Sequence, residues 1–286
     1  MMALRNQLVF GTARLAGGAY ASQSRRMIEV CIKAGITAFD TAPGYGMGAA
    51  EALLGEVTQG AAGIMLHTKV GSARPLVPAL RGWAKRLRNL VANPAATARI
   101  DAPIEPFVGV PAGIVLEPRA IEQSLARSHD LLRRDRIELV LLHEAEPQLI
   151  DPVAWDTLLS AQNAGRIGQL GFAHNGPAQC ADPALVTQTS PLPQHFLMGA
   201  GPQPRIFHSV RRSFRHALRD DPAVAAAAVQ ASRKLDLRLS ESAAEYLIGL
   251  LLLAQADPAA KVIFATSRPE NLGEFLALLD RIEPAA

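Results

Sequence analysis

Residues 137–143 read Ile-Glu-Leu-Val-Leu-Leu-His (IELVLLH). The run is almost continuously apolar, the pattern of a strand buried on both faces, as in a parallel sheet covered by helices. Upstream, residues 119–133 place Ile121, Leu125 and Leu132 on one helical face. Downstream, residues 152–164 read as a helix that Gly165 can end, and residues 167–173 (IGQLGFA) read as the next strand. Helix and strand therefore alternate on both sides of the opening stretch, which is the order of an α/β fold.

The alternation extends to both ends. Further strands are expected at 8–10 (LVF), 36–40 (ITAFD), 64–70, 185–189, 206–210 and 262–266. Ser22 or Ser24 can cap a helix carrying Met27, Ile28, Cys31 and Ile32 on one face, with Gly35 suited to its C-terminal end. Other helices are expected at 50–57, 222–234, 240–256 and 269–282. A chain of 286 residues fits one large domain or two average ones. Eight short strands, most followed by a helix, favour a closed (β/α)8 barrel (a TIM barrel), which takes about 250 residues. An open dinucleotide-binding sheet would want a G-x-G-x-x-G turn after its first strand, and none is present. The expectation is one α/β barrel domain over residues 1–286.

Two segments interrupt the alternation. Residues 71–117 form a long Pro- and Arg-rich stretch, in which 80–91 could be a basic amphipathic helix; residues 191–205 form the other. Both follow a strand, on the side where barrel active sites are built. Trp83, Phe107, Phe196 and Met198 are accordingly candidate substrate-pocket liners.

Composition narrows the function. A 49% hydrophobic content excludes a disordered chain. Two cysteines, Cys31 and Cys180, exclude a disulfide scaffold and suggest a reducing compartment. The N-terminus lacks an apolar core of signal-peptide length, and the apolar run at 246–256 is too short to span a bilayer. A soluble, cytoplasmic protein without a membrane partner is expected. A net charge of +3 is too small an excess to suggest a nucleic-acid footprint. No metal is expected: His143-Glu144-Ala145-Glu146 offers one His and two acids without ligand geometry, and no H-x-H or zinc-spaced cysteine pair occurs.

Four polar residues stand at or just past strand ends: Asp40, Tyr45, Lys69 and His143. Each has a plain structural alternative, respectively a cap, a packed ring, a solvated amine and a core imidazole. Barrel strands converge on one mouth, so the four can meet there. A phenol exchanges its proton poorly at neutral pH, and a nearby ammonium lowers its pKa. A carboxylate keeps the lysine charged and in place, while an imidazole orients a substrate oxygen. By strand alternation His67 shares a face with Lys69 and lines the barrel, with no assigned role.

The chain resembles the aldo-keto reductase superfamily. The resemblance runs through FGTARLAGG, ITAFDTAPGYGMGAAEALLGEV, HTKVG, LEPRAIEQSLARSHDLLRRDRIELVLLH, AGRIGQLGFAHN and VIFATSRPENLGEFLALL, in order. It implies a (β/α)8 barrel that binds a nicotinamide cofactor and transfers hydride to or from a carbonyl. The family's Asp-Tyr-Lys-His tetrad falls on Asp40, Tyr45, Lys69 and His143. Tyr45 would be the general acid or base, Lys69 with Asp40 would tune it, and His143 would orient the carbonyl.

The resemblance also implies a cofactor path. Gly11 and Thr12 follow the first strand. His174 or Asn175 would hold the carboxamide, with Gln188 matching a family glutamine. His208 would stand in for the ring that stacks on nicotinamide, and Ser209, Arg211 and Arg212 would meet the pyrophosphate. Thr266, Ser267, Arg268 and Asn271 open the last helix, where backbone N–H groups favour an anion and Arg268 adds a planar donor fork. This favours NADPH over NADH. Phe275 stands where relatives often carry an adenine-contacting Asn. The implied activity is reduction of an aldehyde, ketone or aldose, or the reverse. A cofactor-binding auxiliary or sensor protein of the same fold is the alternative.

Overall fold

The computed structural model describes residues 4–15, 17, 20–71, 117–144, 150–176 and 182–283. The expected helix at 80–91 and the liners Trp83 and Phe107 lie outside the described residues, as does nearly all of 71–117.

In chain order the elements are α1 (Leu4–Gln7), β1 (Leu8–Gly11), α2 (Ala21–Lys33), β2 (Ala38–Asp40), a 3-10 turn (Tyr45–Gly48), α3 (Ala50–Thr58) and β3 (Met65–Val70). After the long segment come α4 (Pro118–Leu132), β4 (Ile137–His143), α5 (Pro152–Asn163), β5 (Ile167–Ala173), β6 (Val186–Thr189), α6 (His195–Met198) and β7 (Arg205–Phe207). The chain ends with α7 (Val210–Asp220), α8 (Pro222–Leu235), α9 (Ser242–Ala256), β8 (Lys261–Phe264) and α10 (Pro269–Ile282). The eight strands pair in sequence order, all parallel, and β8 returns to β1 to close the barrel.

Strand alternation sorts the side chains into two layers. Val9, Ala38, Leu139, Leu141, Ala173, Val186, Ile206 and Ile263 fill the barrel interior, with Met65 against them. Phe10, Phe39, Leu66, Val140, Leu142, Phe172, Phe207 and Phe264 face outward and join the core beneath the helices. Continuing the inward alternation toward the strand ends reaches Gly11, Asp40, Lys69, His143 and Gln188. The fold thus gathers polar residues in the last inward layer, at the mouth.

Local signals place most helix ends. Asp151 caps α5, its Oδ1 accepting from Val153 N at 2.8 Å, and Asp221 caps α8 through Ala223 N at 2.9 Å. Gly35 takes φ 78° beyond α2, a left-handed conformation that costs a side-chain-bearing residue about 1–2 kcal/mol. Ser22 and Ser24, the expected caps, lie inside α2, which starts at Ala21 and has no side-chain cap; Ser24 is buried.

Further expectations change, among them the last strand, which ends at Phe264 rather than at residue 266. The strand expected to run to Val210 ends at Phe207, because Ser209 turns left-handed (φ 54°) and starts α7. Phe196 is not a pocket liner: it is fully buried against Phe214, with ring centroids 5.2 Å apart. Met198 does not line the pocket either and is 76% exposed. Both sit on α6, which packs against α9 outside the barrel. Among the described residues, no helix is long and apolar enough to cross a membrane.

Candidate active site

A cleft of ≈ 860 Å³ opens at the C-terminal mouth of the barrel. Asp40, Tyr45, Lys69 and His143 all line it. Asp40 ends β2 and is held through its backbone. Its carbonyl accepts from Thr12 N at 2.9 Å and Thr12 Oγ1 at 3.0 Å. Thr12 is thus a fully buried brace that does not line the cleft.

Lys69 Nζ donates to Asp40 Oδ1 and Oδ2, both at 2.8 Å, and to Thr41 O at 3.0 Å. Gln188 Nε2 donates to Asp40 Oδ1 at 2.8 Å from the far side of the barrel. Lys69 is 1% exposed and Asp40 3%, so the ion pair sits in a low-dielectric interior where it is strong only because its hydrogen bonds are made.

The 3-10 turn after β2 carries Tyr45 over this pair. Lys69 Nζ lies 4.7 Å from the Tyr45 ring centroid, and the Tyr45 and His143 rings meet edge to face at 6.3 Å. Burial depresses the Lys69 ammonium, but Asp40 and Tyr45 outweigh it and its pKa is raised. The Tyr45 pKa is also raised: burial pushes it up most, Lys69 pulls it down, and Asp40 pushes it up again. The expectation of a lowered phenol pKa is therefore corrected, because desolvation exceeds the pull of the ammonium. Burial, with Lys69 nearby, lowers His143 to about 4, so its imidazole is neutral at pH 7.

The expected cofactor residues divide. Gly11, His174, Asn175, Gln188, His208, Ser209, Arg211, Arg212, Thr266 and Asn271 line the cleft; Ser267 and Arg268 do not. At Gly11 a Cβ would meet Ile263 Cγ2 at 2.7 Å, so close approach of β1 and β8 requires a glycine there. His208 is fixed on both nitrogens: Nε2 donates to His174 O at 2.5 Å, and Nδ1 pairs with Ser209 Oγ at 3.0 Å. Ser267 is buried, with its carbonyl taken by Gln23 Nε2 at 3.1 Å. Arg268 is exposed at the N-terminal end of α10, its backbone N–H held by Thr266 Oγ1 at 3.1 Å. Phe275, in place of an adenine-contacting Asn, is core: it stacks on Phe264 at 4.4 Å.

Several cleft residues escaped the sequence reading. Arg215, His216, Arg219, Ser242 and Glu274 line it, and Glu245 is buried behind Arg211 and Arg215. The periodicity of Val210, Phe214 and Ala217, all buried, could have revealed α7 and hence the arginines on its other face. Among the described residues, no group of three or more His, Cys, Asp or Glu gathers to hold a metal; Glu146 lies outside them.

The chain is similar in fold to three solved structures. One is a thermostable aldo-keto reductase in complex with the inhibitor epalrestat (17% identity, TM-score 0.62, 96% of this chain and 89% of that one). The second is the glycerol dehydrogenase AKR11B4 from Gluconobacter oxydans (16%, 0.58, 98% and 93%). The third is the holo form of the aldo-keto reductase AKR11C1 from Bacillus halodurans (16%, 0.56, 96% and 86%). No curated protein matches in sequence. The profile of the Aldo/keto reductase family, however, matches residues 7–184, more than half the chain. On that match, the chain belongs to the aldo/keto reductase family.

Proposed function

We propose that the protein is an NADPH-dependent oxidoreductase acting on a small-molecule carbonyl, an aldehyde, ketone or aldose, as one barrel domain. The observation that carries this reading is the buried Asp40–Lys69 pair directly beneath the Tyr45 ring, with His143 beside it, at the floor of an open cleft. Sparse cysteine usage supports a cytoplasmic setting.

The residues fit a nicotinamide dinucleotide. The cleft runs from the tetrad past His208 and Ser209 to the arginines of α7 and to Asn271 on α10, so it offers a neutral end and a cationic end. His143 Nδ1 is buried without a hydrogen-bond partner among the described residues, as suits a ring whose environment is completed by a ligand. When bound, the nicotinamide supplies or accepts the hydride.

The chain's own residues do the rest. Tyr45, its pKa raised, keeps its proton at neutral pH and can pass it to the carbonyl oxygen as charge develops there. Lys69 remains charged through Asp40 and stabilises the phenolate left behind. His143, neutral, offers an N–H donor to the same oxygen without bringing a competing acid.

Arg268 and the N-terminus of α10 support NADPH over NADH, since only NADPH carries a 2′-phosphate. The test is a panel of aldehydes, ketones and aldoses assayed with both cofactors, alongside Tyr45→Phe. Turnover by the native chain, lost in Tyr45→Phe with NADPH binding kept, supports the reading. NADPH binding without turnover of any carbonyl would favour an auxiliary or sensor role.

A further inference from the structure

α7 presents Arg211, Arg215 and Arg219 to the cleft at four-residue spacing. Residues so spaced lie on one helical face, about 6 Å apart along the axis, and like charges there repel. One buried acid counters the repulsion. Glu245, near the start of α9, is 5% exposed and divides its carboxylate between two arginines. Its Oε2 accepts from Arg211 Nε at 2.7 Å and its Oε1 from Arg215 Nε at 2.6 Å. Arg211 Nη2 donates further to Ser242 Oγ at 2.6 Å.

The choice of atoms matters. A guanidinium has five N–H donors. Each arginine is anchored through Nε, on the side chain's inner edge, which leaves the Arg215 terminal nitrogens and Arg211 Nη1 for the cleft. The arginine side chains are 39% and 56% exposed while their shared carboxylate is 6% exposed, so the anchor is dry and the forks are wet. One carboxylate against two guanidiniums leaves an excess positive charge at the cleft wall. Two fixed forks one turn apart suit two linked phosphates, which take bidentate donors well.

We propose that Glu245 is a positioning residue that holds Arg211 and Arg215 as a paired fork for the linked phosphates of the dinucleotide. The inference rests on the cofactor reading above. It makes a prediction opposite in sign to simple electrostatics. Removing a negative charge beside an anion site should tighten anion binding, whereas releasing two positioned forks should weaken it.

The test titrates the full chain with NADPH by fluorescence and with inorganic pyrophosphate and reduced nicotinamide riboside, which carries no phosphate, by calorimetry. Glu245→Gln should bind NADPH and pyrophosphate about tenfold more weakly, with riboside affinity unchanged. Glu245→Asp keeps the charge but is one methylene short of spanning both arginines, and should weaken the same two ligands. Unchanged or tighter pyrophosphate binding by folded Glu245→Gln overturns the inference. Equal loss for all three ligands also overturns it, by showing a general structural role. If neither Glu245 variant folds, Ser242→Ala decides: about threefold weaker pyrophosphate binding upholds the inference, and no change overturns it. A native chain that binds pyrophosphate but not NADPH defeats the cofactor reading and leaves Glu245 judged on pyrophosphate alone. A native chain that binds neither defeats both.

Discussion

The Gln188 side-chain amide donates to Asp40 Oδ1 at 2.8 Å, so two strands on opposite sides of the barrel share one carboxylate. Lys69 holds both oxygens of the Asp40 carboxylate, and Gln188 fixes its orientation from the other side. Hydrogen bonds to charged groups contribute about 1.5–3 kcal/mol. Gln188→Met should therefore lower unfolding stability by about 2 kcal/mol. It should also lower kcat roughly tenfold as Lys69 loses its fixed direction. Urea unfolding and steady-state kinetics check both, and an unchanged kcat would limit Gln188 to stability.

The ion pair itself should show strong non-additivity. Lys69→Met leaves Asp40 buried and unpaired, which costs about 3–5 kcal/mol. In the double variant Lys69→Met/Asp40→Leu the unpaired charge is gone, and most of that loss should return while activity does not. A double-mutant cycle by chemical denaturation measures the coupling. Equal stability of the single and double variants would mean that Asp40 takes up a proton or finds water instead.

Much of this site was legible before the structure, for a physical reason. Residues 137–143 fold as read because a strand buried on both faces leaves a nearly continuous apolar record, and 167–173 follows from its place in the alternation. Asp40, Lys69 and His143 meet because parallel strands deliver their last inward residues to one mouth, whereas Tyr45, on the turn after β2, is singled out by the family resemblance. What failed was α7. Its sequence VRRSFRHALRD is dominated by charge, and Val210 lies only three positions past the apolar end of β7, so residues 206–210 read as one longer strand. Nothing local announces that Ser209 will take a left-handed backbone. Glu245 was passed over for a related reason: an acid in the first turn of an apolar helix reads as solvated, and its burial depends on arginines thirty or more residues upstream.

The raised Tyr45 pKa sets the pH behaviour of the two directions. Reduction needs the phenol protonated, and it stays so throughout the neutral range. Oxidation needs the phenolate, which is scarce until the pH is well above neutral. Carbonyl reduction should be nearly flat between about pH 6 and 8, while alcohol oxidation should climb with pH across the same range. Profiles of kcat/KM in both directions test this. Parallel profiles would remove Tyr45 as the titrating group.

Cofactor choice should depend on Arg268 even though its side chain lies outside the cleft lining. Its exposed position beside the α10 N-terminus leaves its fork for a group projecting from the cleft edge, as a 2′-phosphate would. Arg268→Ala should weaken NADPH binding by about 2 kcal/mol, some thirtyfold, and leave NADH within a factor of two. Equal losses for both would assign Arg268 to the start of α10 alone.

Acid should loosen the barrel through its buried histidines. Burial lowers both His67 and His143 to about 4, against an unfolded value near 6.5. Between those values the unfolded chain binds more protons than the folded one, so stability rises with pH across the window. The contribution is fully present above about pH 6.5 and is lost as the pH falls toward 4. For His67, 6% exposed inside the barrel, the two pKa values correspond to roughly 3 kcal/mol. His143 acts in the same direction at the mouth. Urea unfolding at pH 7.5, 6 and 5 should show a progressive loss, and His67→Gln should flatten the profile by removing the buried group that must stay neutral. An unchanged slope in that variant would shift the acid sensitivity to His143 and to His208, whose pKa burial also lowers.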